Sequence, residues 1–240
     1  MNKFMFEKKL SKVPIFFQRF LMNQYFNLFT KKSKDSVKYK QIINEFHNNS
    51  CIFVHIPKTA GISLSKSLFG EQSDTTHLSI RRLRLLFNDN EFDNYYKFTF
   101  IRNPWDKLFS CYRYLKNGGD SNYHTNWIKN ELNNYDDFNS FVEKWVNEKN
   151  IYTLSHFLPQ SWFISDGNNE LKLDFIGRYE NLNEDFQKIC NELNIKPDLK
   201  HYNKSDRIKL NYTDYYNQKS IDIVNKVYKE DIKRFNYDYK

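Results

Sequence analysis

The stretch CIFVHIPKTAGIS, residues 51–63, decides the fold. Its first half, CIFVHI at 51–56, is a short apolar run typical of a buried strand, and its second half leads into a predicted helix that continues to about Phe69. A strand, a turn and a helix form the repeating unit of parallel α/β folds. The first amides of such a helix have no intrahelical partner and carry the positive end of its dipole, so the turn is a place where anions bind.

The turn PKTAGIS has suitable chemistry for an anion. Lys58 supplies a positive charge, and Thr59 and Ser63 offer hydroxyl groups. Ala60 and Gly61 are small enough for the backbone to approach an oxyanion closely. The stretch therefore predicts either an ordinary turn or a phosphate-type loop, and the rest of the chain has to distinguish them.

The alternation of strand and helix continues along the chain. YKFTFI at 96–101 and LKLDFIG at 171–177 are further strand-like runs, and Asn103 with Pro104 can begin a helix after the first of them. The pattern predicts an α/β fold with a central, mainly parallel sheet flanked by helices. Buried stripes predict three later helices, at 136–148 (Phe138, Phe141, Val142, Trp145), after the third strand (Phe186, Ile189, Cys190, Leu193) and as one last helix (Ile221, Val224, Tyr228, Ile232, Phe235).

Length and composition limit the classes of protein. The 240 residues, of which 40% are hydrophobic, predict one domain over 51–240 after an N-terminal extension over 1–50. A net charge of +8 favours an anionic partner, although surface lysines also serve solubility. Three distant cysteines without a CxxC pair argue against a disulfide framework or a zinc site. No secretory signal or membrane-spanning stretch of roughly 20 apolar residues is visible, so we expect a cytoplasmic protein.

Residues 1–30 are basic and aromatic, and two interpretations stay open. The segment lies on the anionic inner face of a membrane as a peripheral helix, or its stripe packs on its own domain. Pro14 argues against a single helix. The stripe consists of Phe6, Leu10, Val13, Phe17 and Leu21, with Lys8, Lys9, Lys12 and Arg19 between them.

A second anion motif follows the second predicted strand. FIRNPWDKLFSCY places Arg102 directly after that strand and Ser110 eight residues later on the helix. An arginine at a strand end and a serine on the adjoining helix can both reach one phosphate. With the first loop, these residues predict two anion sites at one edge of the sheet.

At this point the sequence resembles the sulfotransferases. HIPKTAGIS is similar to their 5′-phosphosulfate loop, and FIRNPWDKLFSCY is similar to their 3′-phosphate motif. HFLPQ (156–160), FIGRYENL (175–182), HYNKSDR (201–207) and the closing YKEDIKRFNY resemble the membrane-associated, carbohydrate-type branch. The resemblance covers roughly residues 50–240 and implies a P-loop-like three-layer fold. Ile62 departs from the pattern, because these loops more often carry threonine there.

The resemblance implies 3′-phosphoadenosine 5′-phosphosulfate as sulfate donor and no metal. Lys58 is the candidate contact to the leaving oxygen, and the amides of Thr59, Ala60, Gly61, Ile62 and Ser63 hold the 5′ end. Arg102 and Ser110 bind the 3′-phosphate, and Lys204 or Arg207 closes over the nucleotide. The implied acceptor is a hydroxyl of a carbohydrate or lipid-linked glycan; no nucleic acid is expected, and the oligomeric state is not predicted.

Acceptor chemistry needs a general base, and the resemblance favours His77 in TTHLSIRRLR. His156 and Glu180 are the alternative candidates for the base. Glu180, beside Arg178, is also interpreted as half of a buried ion pair. His55 is interpreted as a structural residue. Arg81, His156 and Gln160 are candidate substrate contacts; Arg81, with Arg82 and Arg84, equally suits a solvated basic face. Trp105 and Trp162 either stack on sugar rings or belong to the core.

Two other function classes remain as alternatives. A metal-dependent kinase is disfavoured because PKTAGIS does not have the GxxxxGK[ST] order and no strand ends in an apolar run followed by Asp. A non-enzymatic module that binds nucleic acid or anionic glycan explains the charge and the aromatic residues but not two spaced anion motifs.

Overall fold

The structure is a computed structural model that describes residues 7, 13–20, 34–73, 76–166, 173–200 and 210–240. Two compact units divide the chain: Met1–Ile101 with Gln160–Asn203, and Arg102–Pro159 with Lys204–Lys240. In chain order the helices and strands are α1 (15–20), α2 (Lys34–Asn48), β1 (Cys51–Val54), α3 (Gly61–Phe69), α4 (Ile80–Leu86), α5 (Asp89–Asn94), β2 (Tyr96–Ile101), α6 (Pro104–Lys116), α7 (Asn122–Asn130), α8 (Phe138–Trp145), α9 (Gln160–Ile164), β3 (Phe175–Arg178), α10 (Leu182–Glu192), α11 (Gln218–Val227) and α12 (Lys229–Phe235).

The first unit contains a sheet of three parallel strands in the order β1, β2, β3. Phe98 of β2 pairs with Phe53 on one side and Phe175 on the other. Every residue of β1 is buried, which explains why this strand reads as a continuous apolar run rather than an alternation. The predicted α/β class with a parallel sheet flanked by helices is confirmed.

The bounds of β1 and β3 differ from the predicted ones, and β3 ends at Arg178, one residue later than predicted. β1 ends at Val54, so His55 and Ile56 belong to the following loop although both are buried. β3 begins at Phe175, and the predicted start at 171 lies outside the described residues. Parallel pairing needs a partner strand opposite each residue, and β2 pairs with β3 only from Phe98 onward.

Helices pack on both outer strands. α2 and α4 contact β1, and α10 contacts β3. Ile42 and Phe46 of α2 are buried in the core, so the first unit begins before the predicted domain start at 51. Lys97 of the central strand β2 is also buried; its ammonium group donates to the carbonyls of Phe92 at 3.0 Å and Tyr95 at 2.6 Å, where α5 ends.

The N-terminal segment is attached to the first unit at two described residues. Glu7 is buried, pairs with Arg82 at 2.7 Å and accepts from the Ser79 hydroxyl. Arg19 of α1 pairs with Asp89 at 2.9 Å. These contacts favour docking on the domain for this part of the segment. Phe6, Leu10 and Leu21 of the predicted stripe lie outside the described residues.

The same helix α1 carries exposed aromatic residues. Phe16 is 77% exposed, Phe17 49% and Phe20 51%. Contact with a membrane therefore stays a prediction. No helix in the described ranges is long and apolar enough to cross a membrane.

The second unit consists of helices. α6 begins as predicted: the Asn103 side chain accepts from the amide of Trp105 at 3.0 Å, and Pro104 is the first helical residue. α8 lies within its predicted range of 136–148, and in the first unit α10 follows the third strand as predicted but ends one residue before Leu193.

The predicted single last helix is wrong. α11 and α12 meet at Tyr228, which has non-helical backbone angles of φ −105° and ψ 21°. The Tyr228 side chain is buried, and its hydroxyl donates to the carbonyl of Phe157 at 2.7 Å. The spacing of apolar residues along the helix cannot predict a bond between such distant parts of the sequence.

Candidate functional site

The loop between β1 and α3 has an unusual backbone. Lys58 and Ala60 have positive φ angles of 69° and 66°, although neither is glycine. Left-handed conformations are costly for residues with a Cβ atom and recur at ligand-binding turns, where they turn successive amides towards one side. The loop therefore has the backbone geometry of an anion-binding turn.

The N-cap residue of α3 provides no side-chain cap. Ala60 occupies the N-cap position and makes no side-chain hydrogen bond there. The Thr59 hydroxyl is buried and donates to the Ile56 carbonyl at 2.9 Å, so it holds the turn rather than the first amides of the helix. These amides carry the positive end of the helix dipole. The positive end of the α3 dipole thus lies directly after the loop that carries Lys58.

Gly61 is required for a reason that the sequence did not suggest. A Cβ atom at this position would lie 1.8 Å from Cδ2 and 1.9 Å from Nε2 of His55. Gly61 therefore provides space for a histidine ring, in addition to any approach of a bound oxyanion. The close fit joins the end of β1 to the first residue of α3.

His77 is placed beside the same ring. The ring centroids of His55 and His77 are 4.4 Å apart with an interplanar angle of 56°, and Nδ1 of His77 lies 3.3 Å from the His55 carbonyl oxygen. His77 is half-buried and precedes α4, whose N-cap Ser79 accepts from the Arg82 amide. The structure brings the predicted base into contact with the first residue of the loop stretch HIPKTAGIS.

In the second unit, Arg102 and Ser110 lie at the start of α6 and on its second turn. Asp106 pairs with the Arg102 guanidinium through two bonds, of 2.7 Å from Nε and 2.8 Å from Nη2. Arg102, Asp106 and Ser110 follow one another at intervals of four residues, which places Asp106 and Ser110 on one face of the helix. Asp106 therefore orients the arginine, a role that was missed although the four-residue spacing could have indicated it.

The predicted nucleotide-covering residues Lys204 and Arg207 lie outside the described residues. Lys200, shortly before them, is anchored on the first unit. Its amide donates to the Ser67 hydroxyl at 2.9 Å, and its ammonium group pairs with Glu71 at 2.8 Å. Lys200, the last described residue before 210, therefore lies beside α3, the helix that follows the loop.

Comparison with known proteins decides the family. The model of the sulfotransferase family matches residues 41–238. The chain belongs to the sulfotransferase family. This sulfotransferase is also 32% identical over 116 residues to an uncharacterized protein of Archaeoglobus fulgidus, a match that covers 45% of this chain and 75% of that protein. No solved structure matches the sequence.

Three candidate acceptor contacts of the sulfotransferase have packing roles in the first unit. The Arg81 guanidinium donates to the carbonyls of Ser165 at 2.7 Å and Trp162 at 3.0 Å, and it lies over the Trp162 ring at 5.0 Å. Trp162 and Gln160 are buried. Because a glycan would have to displace these contacts, the structure does not support sugar binding by Arg81, Gln160 or Trp162.

Two candidates in the second unit are also buried. The His156 ring stacks on Tyr114 at 5.0 Å and contacts His124 at 4.9 Å, while Trp105 packs against Tyr239 at 5.7 Å. Both rings are at most 5% exposed. They therefore belong to the core of the second unit, and the structure does not support them as acceptor contacts or, for His156, as the reserve base.

Glu180 corrects a further expectation. It is exposed, so it is not half of a buried ion pair. The buried acid near Arg178 is Asp185, which accepts from the Arg178 amide at 2.8 Å and pairs with Lys188 at 2.8 Å. Asp185 carries no signal in the sequence that separates it from other acids in the first turn of a helix.

Lys107 is a second residue that the sequence analysis did not single out. It follows Asp106 on α6, yet it is buried and donates to the carbonyls of His156 at 2.9 Å and Leu158 at 3.1 Å. Burial lowers the pKa of Lys107 below its usual value, and the nearby Cys111 and Asp231 oppose this effect. The residue fixes the chain before Pro159 against α6, the helix that follows Arg102.

Proposed function

We propose that this sulfotransferase moves a sulfuryl group from 3′-phosphoadenosine 5′-phosphosulfate to a hydroxyl of a carbohydrate or lipid-linked glycan. The observation that carries the proposal is the loop between β1 and α3, with positive φ at Lys58 and Ala60 and an N-cap residue that provides no side-chain cap. Family membership favours this transfer over a kinase and over a non-enzymatic binding module.

Lys58 and the amides of residues 59–63 bind the 5′-phosphosulfate. Backbone amides and a helix dipole suit a doubly anionic group whose position must be fixed before reaction. Ile62 stands where these loops usually carry threonine. Because its side chain is 41% exposed, this difference does not disturb the core.

Arg102 and Ser110 bind a 3′-phosphate. The bidentate contact with Asp106 holds the guanidinium in one orientation, which reduces the entropy lost when it binds an anion. A 3′-phosphate is what separates this donor from ATP, so these residues determine donor selectivity.

His77 removes the acceptor proton. The acceptor oxygen attacks sulfur as the bond between sulfur and the bridging oxygen breaks, and the electron pair of that bond leaves on the 5′-phosphate. Lys58 compensates the negative charge on the leaving oxygen, and the imidazole of His77 takes the hydroxyl proton. The products are a sulfate ester and 3′-phosphoadenosine 5′-phosphate.

The proposal is tested by transfer of radiolabelled sulfate from the donor to a panel of glycans and lipid-linked sugars. Wild-type protein should label at least one acceptor, and His77→Ala should lower turnover by about 10² to 10⁴ while donor affinity changes little. Lys58→Ala should abolish transfer, whereas the control Lys66→Ala on α3 should retain it. A protein that neither labels any acceptor nor binds 3′-phosphoadenosine 5′-phosphate would refute the proposal.

A further inference from the structure

We propose that His55 is the positioning residue for His77: its backbone carbonyl selects the tautomer of the base, and its ring fixes the orientation of the base. The inference rests on the proposed function, in which His77 takes the acceptor proton. It assigns a role in the reaction to a residue whose position at the end of β1 suggested structure alone.

The tautomer follows from the contact between the two residues. A carbonyl oxygen only accepts hydrogen bonds, so the Nδ1 atom of His77, 3.3 Å from the His55 oxygen, is the nitrogen that carries the hydrogen. A neutral imidazole has one N–H group. The lone pair therefore lies on Nε2, and Nε2 is the atom that accepts the proton of the acceptor hydroxyl.

The orientation follows from a row of stacked rings. Phe98 of the central strand stacks on Phe53 at 5.0 Å, Phe53 stacks on His55 at 5.8 Å, and His55 contacts His77 at 4.4 Å. The interplanar angles of the first two pairs are 14° and 16°. The row extends from the middle of the sheet to the base, so His77 rests on rings that are buried in the core of the first unit.

The His55 ring of this row lies against the backbone of Gly61, at the start of α3. The His55 ring occupies the space that a Cβ atom of Gly61 would need, at 1.8 Å from Cδ2. His55 is 5% exposed and is held between Phe53 and the backbone at the first residue of α3. One histidine thus sets the position of the base relative to the loop that holds the sulfuryl donor.

The first test measures the tautomer without turnover. Full-length protein labelled with ¹⁵N-histidine is observed by long-range ¹H–¹⁵N NMR at a pH where the histidines are neutral, and His77→Gln assigns the His77 signals. We expect the hydrogen on Nδ1 in the wild type. A His77 ring with its hydrogen on Nε2 would overturn the inference.

The second test removes the ring. His55→Ala should lower kcat by about 10- to 100-fold, because a base displaced by about 1 Å loses its alignment, while donor affinity stays within about twofold. His55→Phe, which keeps an aromatic ring in the row, should recover most of the loss. His47→Ala is the control, since His47 also packs on an aromatic residue of the first unit, Phe87 at 5.2 Å, and should keep its turnover.

The outcomes separate this inference from the proposed function. Unchanged kcat in His55→Ala overturns the positioning role even when His77→Ala is inactive. Equal losses in His55→Ala and His55→Phe also overturn it. Full turnover by His77→Ala removes the proposed base, and the inference with it.

Discussion

Gly61→Ala provides a sharp test of the packing around the loop. The added methyl carbon would lie 1.8 Å from Cδ2, 1.9 Å from Nε2 and 2.6 Å from Cγ of His55. Carbon atoms pack best at about 3.5 to 4 Å, so the ring would have to withdraw by roughly 1.5 Å or more. The stack on Phe53 leaves little room for this movement.

The expected cost follows from measurements on overpacked cores. Inserted methyl groups typically destabilise a protein by about 1 to 3 kcal/mol. Alanine has a better helix propensity than glycine by up to about 1 kcal/mol, which offsets part of this cost at the first position of α3. We expect a net loss of about 2 kcal/mol, or roughly 4 to 8 °C in the melting temperature of a chain of this size.

A double-mutant cycle provides the assay. Thermal and urea unfolding are measured for the wild type, Gly61→Ala, His55→Ala and the double variant. Removing the His55 ring removes the clash and leaves only the gain in helix propensity, so Gly61→Ala should stabilise the His55→Ala background by up to about 1 kcal/mol, with a coupling free energy of about 2 to 3 kcal/mol. The reasoning would be refuted by a Gly61→Ala variant within about 0.5 kcal/mol of wild type, or by equal costs in both backgrounds.

Three further predictions concern other parts of the chain. Arg102→Ala should weaken binding of 3′-phosphoadenosine 5′-phosphate by about 10- to 100-fold and leave AMP binding nearly unchanged, because the lost bonds go to the 3′-phosphate; equal losses in calorimetry would contradict this. Lys107→Met should flatten the pH dependence of the urea midpoint. The pKa of Lys107 is lowered in the folded protein, so the unfolded chain binds more protons, and the wild type gains stability as the pH rises towards 10.5. A stability difference between wild type and Lys107→Met that is constant from about pH 7 to 9.5 would count against it. Replacing Phe16, Phe17 and Phe20 by serine should lower the affinity for phosphatidylserine vesicles, measured by co-sedimentation, about 10³-fold in total, since each phenylalanine contributes about 1.5 kcal/mol; unchanged sedimentation would exclude membrane contact through α1.

Local signals in the sequence were sufficient for the sheet and for α6. β1 is a continuous apolar run because all of its residues are buried, and the Asn103–Pro104 pair carries its capping chemistry within three residues. The prediction of a single last helix was wrong at Tyr228, whose hydroxyl donates to the carbonyl of Phe157, 71 residues away in sequence. Residue spacing contains no information about such a bond.

The candidate site shows the same limit. The residue types of the loop indicated an anion site, but the left-handed backbone at Lys58 and Ala60 could not be predicted, since neither residue favours it. Arg81 looked like a surface cation because its acceptor carbonyl at Ser165 lies 84 residues further along the chain. Exposure and partners of charged residues depend on such long-range contacts, which a single sequence does not display.

The order in which the strands leave the ribosome matters for production of the protein. The amide of Lys97 in β2 bonds to the Asp174 carboxylate just before β3, and these residues are 77 positions apart. At about 5 to 20 residues per second, synthesis of the intervening chain takes about 4 to 15 s, during which β2 has no partner on its second edge. An unpaired apolar strand edge is a template for aggregation. Nascent chains are therefore exposed to aggregation in this interval, and co-expressed chaperones should raise the soluble yield.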